Sequence, residues 1–159
     1  MMPKRVIGLS AFKDKVVFID GEIPDDTDEP FIVLSDGTWK IQSGDRAAAY
    51  QVLHQQCADY IREAGIEEAI VKASAVMSKG SARLGMLHTA EVRGVLIAAA
   101  ASVCRVVQVQ KGTVSRTYGE RKVDEYIEAD DFWEEHTVGE PLRKGSREVA
   151  MLVIASRNA

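Results

Sequence analysis

The fold is decided by residues 67–114, which open with the apolar, strand-like run EEAIVKASA at residues 67–75. Small and polar residues interrupt this run at residues 77–81, which predicts a loop. Residues 82–103 contain no proline and are predicted to form a long helix. A second strand is predicted from Val106 to Val109. A strand, a helix and a strand in this order form a crossover between parallel strands, which is the basic unit of an α/β domain.

The predicted helix at residues 82–103 is apolar on most of its surface. One face is marked by residues three or four positions apart, which are Leu84, Leu87, Ala90, Gly94, Ala98 and Ala101. The second half of the helix, from Val92 to Ala101, leaves little polar surface on any side. We therefore expect this helix to be the most buried one in the domain.

The chain before this unit predicts an antiparallel part of the sheet. Four strands are expected, at residues 5–10, 16–19, 31–34 and 38–41. Lys13-Asp14-Lys15 forms the turn of the first pair, and Ser35-Asp36-Gly37 is expected to form a tight hairpin turn in the second pair. Between the pairs, the acidic and proline-containing residues 21–30 predict an exposed loop.

Three further helices are predicted outside the central unit. Ser43 is expected to cap a helix that ends at Gly65. A basic, glycine-containing connector at residues 111–122 leads to a short acidic helix at residues 124–136. Residues 146–156 predict a last helix with an inward apolar face.

Length and composition fit one soluble domain that spans residues 1–159. No segment reaches the roughly 20 apolar residues of a membrane helix, and the start of the chain does not resemble a signal peptide. We therefore expect a cytoplasmic protein without a membrane partner. Cys57 and Cys104 lack the spacing of a zinc site and are expected to be buried thiols.

Charge is distributed unevenly along the chain. Residues 72–122 carry 9 Lys and Arg but only 2 Asp and Glu, whereas the flanking segments 1–71 and 123–159 have net charges of −6 and −5. A basic island between acidic flanks suggests an anionic partner, either DNA or RNA. The alternative is that these cations only keep the protein soluble.

Three local motifs resemble those of the RuvC-type Holliday-junction resolvases, which have the ribonuclease H-like fold. They are Ile7-Gly8-Leu9 at a strand end, Arg93-Gly94-Val95 in a helix that continues into an alanine run, and Glu148 to Ala155 in the last helix. The resemblance implies an α/β domain whose mixed sheet has antiparallel strands first and parallel strands later. It also implies helices on both faces of the sheet.

The catalytic acids that the resemblance implies are largely missing. Family members use carboxylates on two metal ions to cleave a phosphodiester, but Ser10 stands at the first acidic position and Lys72 to Ser74 at the second. Glu148 alone retains a carboxylate. Neither a serine nor a lysine replaces an anionic ligand of a divalent cation. We therefore expect no metal cofactor and no cleavage. If the protein is an active nuclease, Asp14 and Glu91 are the candidates to join Glu148 and to hold Mg²⁺ or Mn²⁺.

Three functions remain open on this reading. The first is a catalytically degenerate protein that binds nucleic acid or a nucleic-acid-processing protein. The second is an active, structure-selective nuclease, and the third is a protein-interaction module that has lost nucleic-acid binding. A homodimer, as in resolvases, is a further expectation.

Four basic residues are the predicted phosphate contacts. Lys79 and Arg83 lie at the entry to the central helix, and Lys111 and Arg116 follow the next parallel strand. Loops at the carboxyl ends of parallel strands meet at one edge of a sheet, where ligands of open α/β folds bind. In the alternative interpretation, these cations pair with the acidic residues 124–135.

Overall fold

A computed structural model describes residues 3–74, 83–114, 118–119 and 121–157 of the chain. Six strands form one sheet: β1 Lys4–Ala11, β2 Lys15–Ile23, β3 Phe31–Lys40, β4 Glu68–Lys72, β5 Arg105–Val109 and β6 Thr137–Gly139. The helices are α1 Arg46–Ala64, α2 Leu84–Ala101, α3 Val123–Ile127, α4 Asp130–His136 and α5 Arg147–Ser156, and a 3₁₀ turn at Lys144–Ser146 precedes α5.

The sheet is mixed, with strand order β5-β4-β1-β2-β3-β6. β1, β2 and β3 pair in antiparallel fashion, whereas the β1–β4, β4–β5 and β3–β6 pairs are parallel. The predicted α/β class, with antiparallel strands first and parallel strands later, is confirmed. The short strand β6 was not predicted, because three residues carry too little periodicity to identify a strand.

Each face of the sheet is covered by its own helical layer. Helices α1 and α2 pack on the face that carries Ile7 and Leu9 of β1, and α5 packs with α3 and α4 on the opposite face. On that opposite face, a Cβ atom added to Gly8 would lie 2.7 Å from a methyl group of Val153. The glycine therefore allows α5 to lie directly against β1.

The most buried helix is α5 and not α2, so that prediction was wrong. Every residue from Val149 to Ala155 is buried, whereas α2 buries only Val92, Leu96, Ala99 and Ala100. The face of α2 marked by Leu84 and Leu87 points outward, with these two residues 66% and 53% exposed. Apolar composition misled the prediction because α2 has a core face and a second apolar face that the described part of the domain leaves exposed.

Among the described helices, α2 is also long and apolar enough to cross a membrane by length and composition, although no such segment was expected from the sequence. Its core residues, Val92 and Leu96 among them, pack against the sheet. Within this domain α2 is therefore part of a helical layer.

The second predicted hairpin is also wrong, because β3 runs without a break through Ser35-Asp36-Gly37. The Asp36 carboxylate is bound by Arg143 and Ser146 from the segment before α5. A Cβ atom on Gly37 would lie 2.4 Å from the Phe18 ring, so the glycine makes room for that ring within the sheet. Long-range contacts thus override the local preference of Asp-Gly for a turn.

The ends of α1 are set by two local contacts. The Asp45 side chain accepts a hydrogen bond from the Ala47 N–H and caps the helix, in place of the predicted Ser43. Gly65 ends the helix in a left-handed conformation, as expected.

Candidate functional site at the carboxyl ends of the parallel strands

Ser10 and Lys72 lie next to each other at one edge of the sheet. Leu9 of β1 pairs with Val71 of β4, so the next residues, Ser10 and Lys72, are neighbours on adjacent strands. Lys72 in turn pairs with Val109 at the end of β5. Side chains alternate along a strand, so Ser10 and Lys72 share the face on which α5 packs. Ser10 is almost fully buried there, at 5% exposure.

Glu148 reaches this edge from the first turn of α5. Its carboxylate forms an ion pair with the Lys72 ammonium group. The Lys72 side chain is 29% exposed and the Glu148 side chain is 27% exposed, so the pair lies at a partly open surface and not in the deep core. The structure thus brings together Ser10, Lys72 and Glu148, which the sequence placed at the positions of the missing metal site.

A second ion pair extends this site. Lys111, which follows β5, contacts Asp124 of α3 with 2.7 Å between Nζ and Oδ1. The hydrogen bond that Lys111 donates to Asp124 raises the pKa of Lys111, and the charge of Glu148 adds to this effect. The pKa of Asp124 is lowered by Lys111 first and also by the charges of Lys122 and Lys72. Lys72, Glu148, Lys111 and Asp124 therefore act as one electrostatic group, here named the edge cluster.

Arg93 fixes the end of β4 from the other side of the sheet. Its guanidinium donates to the Lys72 carbonyl oxygen at 3.0 Å and to the Ser74 hydroxyl at 2.6 Å. Burial lowers the pKa of Arg93. Ser74 is therefore bound by Arg93, and Lys72 leaves the strand in a fixed backbone position.

The two other candidate metal ligands lie apart from Glu148. Glu91 is on α2, in the opposite helical layer, where it accepts a hydrogen bond from the Tyr50 hydroxyl at 2.8 Å. Asp14 lies exposed in the turn after β1, and its carbonyl oxygen accepts from the Ile41 N–H. Asp14 is at the same edge of the sheet as Ser10, but it forms no carboxylate cluster with Glu148 in the described part of the chain.

The described residues do not fit the two-metal centre that the resemblance implies. Within residues 3–74, 83–114, 118–119 and 121–157, no three His, Cys, Asp or Glu side chains are close enough to share a metal ion. Glu148 and Asp124 are each paired with a lysine, and Ser10 offers only a hydroxyl group. A divalent cation prefers several anionic oxygen ligands, and two ammonium groups repel it.

Cations concentrate along this edge of the sheet. They come from strand ends and helix starts and form what we name the basic edge: Lys13, Lys15, Lys40, Arg46, Lys72, Arg83 and Lys111. Lys15 pairs with Lys40 across β2 and β3, the Arg46 guanidinium donates to the Lys13 carbonyl oxygen, and the Lys13 side chain lies beside Gly85 at the start of α2. These contacts join the strand ends to the starts of both helices.

The opposite edge of the sheet has the opposite charge. It carries Glu22, Asp25, Asp26, Asp28, Glu29, Glu63, Glu67 and Glu68, which we name the acidic edge. This charge difference between the two ends of the strands is not the one seen along the sequence, because Lys13, Lys15, Lys40 and Arg46 of the basic edge come from the acidic segment 1–71. Such a field orients an anionic ligand toward the basic edge.

Of the four predicted phosphate contacts, Arg83 and Lys111 are described and both lie on the basic edge. Lys79 and Arg116 lie outside the described residues, so their predicted role stays a prediction. Lys111 pairs with Asp124, as the alternative interpretation expected of it. Lys13 and Lys15 were missed, although their place in the turn after β1 puts them at the same edge as loops that follow parallel strands.

Comparison with known proteins finds similarity in structure only. No protein-family model matches the chain, and no curated protein sequence does. RuvC from Thermus thermophilus superposes with a TM-score of 0.71 at 10% identity, covering 96% of this chain and 95% of that one. The same resolvase in complex with a Holliday-junction substrate gives a TM-score of 0.66 at 10% identity over 97% and 95% of the two chains.

A third solved structure, the yeast mitochondrial Holliday-junction resolvase Ydc2, gives a TM-score of 0.67 at 10% identity over 96% of this chain and 77% of that chain. An identity of 10% supports the fold and not the activity. The three superpositions nevertheless cover 96–97% of this chain. The protein therefore has the ribonuclease H-like fold in the form found in RuvC-type Holliday-junction resolvases.

Proposed function

We propose that this protein binds the phosphate backbone of nucleic acid along its basic edge and does not cleave it. The observation that carries the proposal is the Lys72–Glu148 ion pair at the carboxyl ends of the parallel strands. A lysine at this position neutralises the negative charge that a divalent cation needs from its ligands, and it supplies positive charge that attracts a phosphate. Lys13, Lys15, Lys40 and Arg83 extend the same positive surface.

Branched DNA is the first ligand to test. A solved relative in fold is described in complex with a Holliday-junction substrate, and the basic edge extends across the ends of several strands and two helices. Duplex DNA, single-stranded DNA and RNA belong in the same experiment, because phosphate contacts alone do not distinguish these ligands.

The salt dependence of binding tests this proposal. We expect the Lys13→Ala/Arg83→Ala variant to bind more weakly to every nucleic acid that the wild type binds. Its slope of log affinity against log salt should be smaller by about 2, because each lost phosphate contact removes about 0.9.

The matched control removes two cations at the other end of the strands. Arg62 and Arg105 are 61% and 77% exposed, and Lys4 still pairs with Glu68 when Arg105 is replaced. The Arg62→Ala/Arg105→Ala variant should retain the wild-type slope. Equal slopes for both double variants would refute the basic edge as the binding surface. A wild type that binds no nucleic acid at low salt would favour a protein-interaction module instead.

We further propose that two copies pair through the outward face of α2. Leu84 and Leu87 lie at its start, and the small residues Gly94, Ala98 and Ala101 lie toward its end. A twofold axis at Gly94 places Leu87 of one copy opposite Ala101 of the other, since each is seven residues from the axis. Large side chains then meet small ones, which favours an antiparallel pair of identical helices.

The charge on this face does not oppose pairing. Glu91 already accepts a hydrogen bond from Tyr50, and its carboxylate lies 4.0 Å from the Arg46 Nε atom.

Sedimentation analysis should therefore find a dimer for the wild type and a monomer for Leu87→Asp. Val138→Asp is the control, because Val138 is a similarly exposed apolar residue, at 49%, on the distant strand β6. A monomeric wild type, or a wild type that binds lipid vesicles through this face, would refute the pairing.

A further inference from the structure

Lys72 stands at an acidic position of the metal site that the resemblance implies, and it contacts Glu148 there. Its side chain leaves the carboxyl end of β4 beside Ser10, and its ammonium group contacts the carboxylate that α5 supplies. Arg93 holds the Lys72 carbonyl oxygen, so the lysine starts from a fixed point. A cation that is covalently attached to the chain therefore neutralises Glu148.

A second lysine neutralises a second carboxylate beside this pair, because Lys111 forms an ion pair with Asp124. A bare pair of carboxylates at this edge would repel a phosphate backbone unless metal ions were bound. With the two lysines present, the edge cluster has no net charge, and Lys13, Lys15 and Arg83 leave the surrounding surface positive. Nucleic acid can then approach this edge in the absence of a divalent cation.

An ammonium group also has hydrogen-bonding capacity beyond the ion pair. It carries three N–H donors, and among the described residues its carboxylate partner is Glu148. The side chains of Lys72 and Glu148 are each more than a quarter exposed, so a ligand can reach the remaining N–H donors of Lys72.

We propose that Lys72 takes the place of a metal ion, holding Glu148 and donating to a phosphate oxygen of a bound nucleic-acid strand, so that binding at this site needs no divalent cation. This inference rests on the proposed nucleic-acid binding and specifies where one phosphate lies. It also separates this chain from an enzyme of the same fold that has merely lost activity, because the site has been converted to hold a phosphate.

The first test compares affinities for a four-way DNA junction in EDTA and in Mn²⁺. The wild type should bind equally well in both. The affinity of Lys72→Glu in EDTA should be lower than that of the wild type by about tenfold or more, since a phosphate contact is lost and a like charge is added. Mn²⁺ should restore much of this loss, because the introduced carboxylate and that of Glu148 would then both be available to the metal.

The Lys72→Glu/Glu148→Gln variant is the matched control and should not be rescued by Mn²⁺. Lys72→Gln is a second variant that keeps a long polar side chain without adding a negative charge, which covers the case that Lys72→Glu does not fold. It should also bind more weakly than the wild type in EDTA. Wild-type affinity for Lys72→Gln in EDTA, or wild-type binding that requires Mn²⁺, would overturn the inference.

The second test measures Mn²⁺ directly, without nucleic acid, by electron paramagnetic resonance of the free ion. Lys72→Glu should remove Mn²⁺ from solution, and the wild type and the Lys72→Glu/Glu148→Gln variant should not. If the wild type binds no nucleic acid, the proposed function and the phosphate contact are refuted, and this measurement still tests separately whether Lys72 takes the place of a metal ion. A folded Lys72→Glu protein that leaves Mn²⁺ free would show that Lys72 does not occupy the place of a metal.

Discussion

Replacing Asp36 should loosen the segment that positions α5 and, with it, Glu148. The Asp36 side chain is only 4% exposed. It accepts hydrogen bonds from the Arg143 backbone N–H at 2.8 Å, from the Arg143 guanidinium at 2.8 Å and from the Ser146 hydroxyl at 2.6 Å. These contacts join β3 to the residues directly before α5, which are distant in sequence.

The expected loss of stability follows from these contacts. Asp36→Ala leaves the fully buried Ser146 hydroxyl and the Arg143 N–H without their acceptor, and each unsatisfied group costs about 1–3 kcal/mol. Arg143 is 52% exposed and can turn to solvent, which limits the total. We therefore expect the free energy of unfolding to fall by about 3 kcal/mol. Asp36→Asn keeps an acceptor oxygen but loses the charge, and should cost about 1–2 kcal/mol.

Urea denaturation followed by circular dichroism measures this difference. A loss of about 3 kcal/mol lowers the unfolding midpoint by about 1.5 M if the slope is near 2 kcal/mol/M. Asp59→Ala is the control, because that carboxylate makes an exposed surface pair with Arg62 and should change stability by less than about 0.5 kcal/mol. An Asp36→Ala protein as stable as Asp59→Ala would refute the view that Asp36 holds the segment before α5.

The pH dependence gives a second check on the same contact. Burial alone would raise the pKa of Asp36, but the hydrogen bonds from Arg143 and Ser146 outweigh burial and lower it. The stabilisation is therefore complete above the ordinary aspartate pKa of about 4 and is lost as the pH falls through the lower, folded-state value. The stability difference between the wild type and Asp36→Asn should be constant at neutral pH and should shrink below about pH 4.

Two further predictions concern packing and reactivity. Gly8→Ala should destabilise the protein by about 1–3 kcal/mol in urea denaturation, because the new methyl group would lie 2.7 Å from Val153 and 3.0 Å from Val149; Gly85→Ala is the control that should cause no such loss, because among the described residues its Cβ would meet the Lys13 side chain at an ordinary 3.5 Å. Burial raises the pKa of the Cys57 thiol to about 12, so Ellman's reagent should modify the half-buried Cys104 first and Cys57 only as the protein unfolds; rapid modification of both thiols in the folded protein would contradict the burial of Cys57.

Local sequence patterns predicted the parts of the fold that depend on short-range preferences. The crossover β4–α2–β5, the hairpin β1–β2 and the stop of α1 at Gly65 follow from apolar periodicity and glycine placement. The failures lie where distant residues decide. The local sequence at Asp36 and Gly37 predicts a turn, but Arg143 binds Asp36 and the Phe18 ring packs on Gly37, which keeps both residues in β3. The exposed face of α2 was predicted to lie in the core, because periodicity does not show which of two apolar faces a domain covers.

The candidate site was predictable in outline and not in chemistry. Ser10, Lys72 and Glu148 were placed together because strand ends and the last helix converge in the fold that their motifs resemble. The ion pair between Lys72 and Glu148 depends on the register of β1 and β4 and on where α5 begins. Lys13 and Lys15 were taken only as turn residues, because their neighbours at the basic edge come from distant parts of the chain.

The central claim, binding without a metal and without cleavage, is tested most directly by one experiment. A labelled four-way DNA junction is incubated with the wild type in EDTA, Mg²⁺ or Mn²⁺, and each sample is run on a native gel and on a denaturing gel. We predict the same bound fraction in all three conditions and an uncleaved strand in each. Cleavage products that appear with Mg²⁺ or Mn²⁺ and disappear in Glu148→Gln would contradict the claim and would make this protein an active nuclease.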